Sequence, residues 1–301
     1  MYRIYTQLLL LVMTSELLAQ QDEQMSFYQY NQSIFNPSCA GIKGRMNCTS
    51  VCRFQWVQFS GAPNSQWLSI QSSVLNNRLG IGANFIHDQV GMRGRTGINI
   101  LLASRINLNK NQHLRLGLSL GLDQYDIDFT EAIVGDPNDA LASYKVSTKH
   151  VNAGFGIFYC EKKFNLGFSI PRVFLVLTKS NAQHVNIFST HYYLTISREF
   201  EINNSFKWRQ SFLLKYVRNA PITIDLNSTL VVKNRIDLGF HYRIHEALGI
   251  SGLARVKERL KIGYNFDFPI NGLFTFQQGT HELMLQFDLK DKKTEESTPK
   301  F

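Results

Sequence analysis

The chain is 301 residues long, with 18% charged residues, 12% aromatic residues and a formal net charge of +9. This length fits one large domain or two ordinary ones. The 4 cysteines are irregularly spaced and include no Cys-x-x-Cys pair, which excludes a disulfide-stapled scaffold and a zinc ribbon. In a cytoplasmic protein, such an excess of basic residues would favour nucleic acid as the binding partner. The amino-terminal sequence instead predicts export, so we expect an acidic protein partner or anionic lipid, and no nucleic acid.

Residues 1–20 have the features of a secretory signal peptide: a basic start at Arg3, the apolar run Leu8–Met13 and a small residue at Ala19. The alternative is a buried first helix. The longest later apolar run, Val173–Leu177, is far shorter than the roughly twenty residues of a transmembrane helix. We therefore expect an exported protein that, if it enters a membrane, crosses it as strands.

Residues 21–45 are polar and aromatic without regular periodicity, and Asn36-Pro37 and Gly41 are typical of turns. We interpret this segment as a periplasmic amino-terminal arm or a plug. Residues 46–290 then form a single barrel of strands, and residues 291–301 form a polar carboxy-terminal tail.

The stretch His113–Asp128 shows the pattern that predicts the strands. Leucine occupies every second position from Leu114 to Leu122, and the positions between them carry small or charged residues such as Ser119. A period of two indicates a strand with one apolar face and one polar face. Similar alternation recurs along the chain from a weak first case at Met46–Phe59, whereas helical periodicity is absent from the mature sequence.

The connections between these strands alternate in length. Short ones, such as Asn76-Asn77 and Asn203-Asn204, are typical of hairpin turns. The others are irregular and include the long segments 128–148, 172–185 and 269–279. This layout predicts an all-β, transmembrane antiparallel β-barrel of the bacterial outer membrane with about 14 strands. We expect the short turns and both termini to face the periplasm and the longer loops to be extracellular; a soluble sandwich would need Greek-key connections.

Basic residues gather at the short-turn side of this barrel. We define the basic collar as the lysines and arginines there: Arg78, Lys110, Lys162, Lys163, Lys207, Lys233, Arg235, Lys257, Arg259 and Lys261. Two interpretations remain open. In the first, the charges only keep the rim hydrated. In the second, they form a docking surface for an acidic periplasmic partner. In the second case the candidate partner-binding residues are Lys162, Lys163, Lys233 and Arg235.

Several motifs resemble those of a known family. They are Phe27–Gly41, which contains Asn-Pro and a closing glycine, followed by Arg53–Val57, Gly61–Pro63, Leu79–Ala83 and His281–Leu285. This ordered set resembles the PorP/SprF family, which are outer-membrane proteins of the type IX secretion and gliding systems of Bacteroidetes. The resemblance covers nearly the whole mature chain and supports the fold expected from the alternation.

The resemblance implies location in the cell outer membrane and a non-enzymatic role in the secretion or surface retention of cargo and adhesins. Its implied partners are periplasmic and outer-membrane secretion-system proteins, the secreted cargo and outer-membrane lipid. Within the motifs, Asn36, Pro37 and Gly41 are candidate partner-binding residues. Alternatively they only turn the chain into the first strand, and Trp56 and Trp67 are aromatic residues of the membrane interface.

Catalytic and ligand-binding chemistry has little support in the sequence. The 8 histidines are scattered and no Gly-x-Ser-x-Gly motif occurs, so we expect no enzyme activity. Asp136–Asp139 lacks the ligand spacing of a calcium loop, and we expect no metal and no cofactor. A passive porin or small-solute transporter is the alternative function, because a barrel of this many strands encloses a wide lumen.

Overall fold

The protein is described by a computed structural model over residues 23–131, 144–174, 190–218, 220–272 and 277–289. Its strands are β1 (Asn47–Phe54), β2 (Asn64–Val74), β3 (Leu79–Val90), β4 (Arg93–Asn107), β5 (Gln112–Asp128), β6 (Lys145–Glu161), β7 (Phe164–Phe174), β8 (His191–Glu201), β9 (Phe206–Val217), β10 (Thr223–Val232), β11 (Ile236–Arg243), β12 (Ala247–Lys257), β13 (Leu260–Pro269) and β14 (Thr280–Asp288). Each strand pairs with its neighbours in sequence, and β1 pairs with β14 to close the barrel. The prediction of a 14-stranded antiparallel barrel is confirmed.

The alternating pattern decides which side chains face the lumen. On β5, Leu118 and Leu120 are 59% and 64% exposed on the outer wall, whereas Ser119 and Arg115 are buried on the inner side. The leucine row therefore forms part of the lipid-facing surface, and the inner faces of the strands carry buried polar and charged residues. The predicted signal peptide, the candidate calcium turn and the polar tail lie outside the described residues.

The turns form two rims. We call the rim with the β2–β3, β4–β5, β6–β7, β8–β9, β10–β11 and β12–β13 turns the short-turn rim, and the opposite one the long-loop rim. β1 ends at Phe54, five residues before the predicted end, because Trp56 and Gln58 adopt positive φ angles of 46° and 74°. The loop backbone bonds instead to the β13–β14 connection, where the Val57 amide donates to the Gly279 carbonyl at 3.0 Å. The long-loop rim also has two short connections among the described residues, β3–β4 and β11–β12, and the first is short because β3 and β4 are longer than predicted.

The described part of the amino-terminal segment lies inside the barrel. We call Glu23–Arg45 the plug segment. It is built from three short 3-10 turns, Tyr28–Tyr30, Gln32–Ile34 and Pro37–Cys39. No helix in the described ranges is long and apolar enough to cross a membrane.

A hydrophobic core occupies the lumen between the plug segment and the wall. Met25, Phe27, Tyr28 and Phe35 of the plug segment pack against inward-facing residues of seven strands, namely Val51, Trp67, Ile86, Tyr193, Leu213, Leu253 and Met284. Trp67 is 2% exposed and faces the lumen, so its expected place at the membrane interface is wrong. Most inward-facing residues of the strands are polar, so the aromatic residues of the plug segment supply much of the apolar surface in the lumen.

Candidate functional site: the seat of the plug segment

Buried charged residues hold the plug segment near the long-loop rim. Arg53 on β1 forms salt bridges to Asp267 at 2.7 Å and to Glu282 at 2.8 Å, and the side chains of all three are at most 3% exposed. Glu282 also accepts the backbone amides of Ser26 at 2.9 Å and Phe27 at 2.8 Å. The Ser26 hydroxyl donates to Asp267 at 3.0 Å. Charge-assisted bonds of this kind are strong away from water, so they fix the segment to β1, β13 and β14.

Two further contacts bind the leading end of the plug segment. Arg95 on β4 lies between two carboxylates, with Nη1 2.6 Å from Glu23 and Nη2 2.8 Å from Asp123. The side-chain amide of Gln24 donates from Nε2 to Glu246 Oε2 at 3.1 Å. Glu246 belongs to the turn between β11 and β12, so the leading end reaches the long-loop rim itself.

A row of glycines on the inner wall makes room for the middle of the plug segment. We call it the glycine seat: Gly80 on β3, Gly117 on β5 and Gly156 on β6. A methyl group at Gly80 would overlap the Ala40 carbonyl, and one at Gly117 would overlap the Ser38 backbone. Arg115 adds to the seat, because its Nε donates to the Ser38 carbonyl at 2.8 Å. Only glycine permits this close approach of two backbones.

The candidate residues Asn36, Pro37 and Gly41 are placed in this seat and are buried. The Asn36 side chain accepts from the backbone of the following turn and donates to the Ile157 carbonyl of β6 at 3.2 Å. The Gly41 amide donates to Gln71 Oε1 at 2.9 Å, and its φ of +65° favours glycine. All three residues therefore contact the barrel wall.

Polar contacts continue between the core and the seat. The Ser33 carbonyl accepts from Asn84 Nδ2 at 2.8 Å. The Tyr30 hydroxyl donates to Asp237 Oδ2 at 2.9 Å. The space left beside Phe35 is about 40 Å³, roughly enough for a few water molecules.

The trailing end of the plug segment lies at the short-turn rim. Arg45 forms a salt bridge at 2.8 Å to Asp288, the last residue of β14. Lys43 donates to the Tyr30 carbonyl at 3.2 Å. The Arg45 side chain is 44% exposed, whereas that of Arg95 at the leading end is 7% exposed, so water weakens the salt bridge at the trailing end more.

The four candidate collar residues all lie exposed on the short-turn rim: Lys162, Lys163, Lys233 and Arg235. Lys163 pairs with Glu201 at 3.0 Å in an exposed bridge. Two other members of the basic collar point inward instead. Lys207 pairs with Glu199 at 3.2 Å, and Lys261 lies 3.6 Å from Asp288. Both lie at the short-turn rim as expected, but their side chains are on the lumen-facing side of β9 and β13 and are 18% and 12% exposed, so a partner at the rim would reach them less easily.

Sequence reasoning missed the clamp formed by Arg53, Asp267 and Glu282. The available signal was their charge at alternate, lumen-facing positions, which is equally consistent with a water-filled lumen. The motifs that begin at Arg53 and His281 meet in the fold, because Arg53 and Glu282 are register partners across the β1–β14 pair.

Comparisons with known proteins agree with this architecture. No curated protein sequence matches the chain. The CymD monoaromatic hydrocarbon channel has a similar fold, with a TM-score of 0.54 at 10% identity over 87% of this chain and 94% of that chain. The outer membrane protein Omp33 of Acinetobacter baumannii gives a TM-score of 0.50 at 5% identity over 83% of this chain and 100% of that chain. These likenesses show the fold of an outer-membrane barrel.

The family comparison covers nearly the whole chain. The model of the type IX secretion system membrane protein PorP/SprF matches residues 17–287. That range includes the plug segment and all but the last residue of the barrel strands. The chain is therefore an outer-membrane protein and belongs to the PorP/SprF family of type IX secretion system membrane proteins.

Proposed function

We propose that the protein is a non-enzymatic component of type IX secretion that assists the secretion or surface retention of cargo through protein partners. The observation that carries this proposal is the plug segment, which fills the lumen and is bonded to the wall from Glu23 to Arg45. A barrel closed in this way acts through its rims and not through a pore.

The basic collar supplies the surface for a periplasmic partner. Lys162, Lys163, Lys233 and Arg235 lie on two separate short turns, so an acidic partner can contact several charges at once. Such charges act through water and steer encounter more than they add affinity. Outer-membrane phospholipid headgroups are the other anionic surface within their reach.

The buried motif has a different role in this proposal. Asn36, Pro37 and Gly41 bind the barrel wall and place the plug segment on the glycine seat. A partner would reach them only after the segment left the lumen. Their contribution to partner binding is therefore indirect, through the shape of the closed barrel.

A passive porin is the second candidate. Its support is fold likeness: CymD is named as a hydrocarbon channel, and KdgM, at a TM-score of 0.40, is named as a porin. Likeness at 10% and 9% identity shows fold alone. The hydrophobic core between the plug segment and the wall opposes this candidate, because a solute would have to displace it.

The decisive experiment combines co-purification with conductance. The fourfold change of Lys162, Lys163, Lys233 and Arg235 to Gln should leave barrel assembly intact and reduce recovery of periplasmic secretion proteins from native membranes. The matched control makes the same charge change at the other rim, in Arg93, Lys145, Lys149 and Arg218. Wild-type recovery should fall with salt, as the screening length shortens from about 10 Å at 0.1 M to about 3 Å at 1 M.

Two outcomes would contradict the proposal. If the fourfold collar variant recovered as much of the periplasmic proteins as the wild type at low salt, the charges would serve only to keep the rim hydrated. Large conductance of the purified wild-type protein in planar bilayers, without partners, would favour the porin.

A further inference from the structure

The two ends of the plug segment lie at opposite rims. Gln24 bonds to Glu246 at 3.1 Å, in the β11–β12 turn of the long-loop rim. Arg45 bonds to Asp288 at 2.8 Å, where β14 ends at the short-turn rim. A plug that entered and left by the same side would have both ends at one rim.

The path between these ends is not direct. Tyr30 already lies near the short-turn rim, since its hydroxyl donates to Asp237, the second residue of β11, and its carbonyl accepts from Lys43. Ser33 then contacts Asn84 in the middle of β3, and Ala40 lies against Gly80, four positions nearer the short-turn rim. The segment therefore turns back once inside the lumen, but it ends at the rim opposite to the one where it starts.

We infer that the plug segment is an additional membrane crossing, so that the described residues pass the outer membrane fifteen times: fourteen strands and one pass through the lumen. Glu23 then lies at the opposite face of the membrane from the short turns and from Asp288. With the long loops outside, this places Glu23 at the cell surface, beside the loops. The inference departs from the expectation that both termini face the periplasm.

The buried charges make this orientation specific. Glu23 is neutralised by Arg95 on β4, and the amides of Ser26 and Phe27 are satisfied by Glu282 on β14. Reversing or withdrawing the segment would remove the Glu23 partner of Arg95 and the two amide donors to Glu282 in a site away from water, which is costly. The inference uses the outer-membrane location and the contacts of the segment, and it is independent of the proposed role in secretion.

Accessibility of two tags tests the inference. One epitope is inserted directly before Glu23 and the other in the Asn203-Asn204 turn of the short-turn rim. We expect antibody to label the first on intact cells and the second only after permeabilisation, with mass spectrometry showing that the first tag is retained in the mature chain. Labelling of both tags from the same side would overturn the inference.

Cysteine pairs give a readout that needs no tag. In a chain carrying Cys48→Ser and Cys52→Ser, Gln24→Cys with Glu246→Cys should form a disulfide when oxygen and copper phenanthroline accept the two electrons and two protons. Arg45→Cys with Asp288→Cys is the matched pair at the other rim and should also cross-link. Gln24→Cys with Asp288→Cys should not. Cross-linking of this last pair, with none between positions 24 and 246, would overturn the inference.

Discussion

Arg53 and Glu282 face each other across the β1–β14 pair, with Nη1 2.8 Å from Oε2, and the same carboxylate accepts two backbone amides of the plug segment. One side chain thus joins the first strand, the last strand and the segment inside them. This arrangement links closure of the barrel to filling of its lumen.

Glu282→Ala should destabilise the barrel strongly. The change leaves Arg53 with a single carboxylate partner and leaves the amides of Ser26 and Phe27 without an acceptor. Removing one member of a buried pair costs about 3–5 kcal/mol. Unfolding in urea with lipid present, followed by heat-modifiable gel mobility, measures the loss. The control is Glu201→Ala, which breaks an exposed bridge and should change little; equal losses at both positions would contradict the clamp.

Gly117→Val should displace the plug segment. A side chain at this position meets the Ser38 backbone, which has no flexible end to move aside. We expect a lower unfolding midpoint and protease cleavage within Glu23–Arg45 in assembled barrels. Gly252→Val is the matched control on β12, because nothing lies within 4 Å of its added carbon. Protease resistance equal to that of the wild type in Gly117→Val would rule out the glycine seat.

Leu118→Arg should cost about 2–4 kcal/mol, because a charge near the middle of the lipid-facing leucine row is transferred into hydrocarbon. Asn111→Arg, in the exposed β4–β5 turn, is the control and should be neutral. Folding titrations into lipid vesicles give the difference. Ser119, the neighbouring lumen-facing residue, is not a suitable control: it is 5% exposed beside Gly154 and Pro171, so arginine there would be overpacked. Equal costs for Leu118→Arg and Asn111→Arg would contradict the lipid-facing assignment.

The sequence predicts the barrel because strand alternation is local. The leucine row of β5 needs no knowledge of other strands to be recognised, and the short turns fix which neighbours pair. The seat of the plug segment is not local: Arg53 and Glu282 are 229 positions apart, and their pairing follows only from closure. Trp67 shows the same limit, since an aromatic residue on a strand fits both the membrane interface and a filled lumen. The Asn36–Gly41 motif predicts a turn. The glycines that it contacts on β3, β5 and β6 differ from other small residues of the strands in no way that the sequence shows.

The β1–β14 pair, the seam that closes the barrel, has a consequence for how the protein is assembled. In the part of the chain that the structure describes, the ring of fourteen strands, each bonded to both neighbours, has no side entrance, and the core around Phe27 and Phe35 leaves no axial one. We therefore expect the plug segment to be laid against the growing sheet before β14 meets β1, so that zipping of this seam is the last step of assembly. A chain whose segment failed to settle would be arrested as an open sheet with two free edges, which are templates for aggregation.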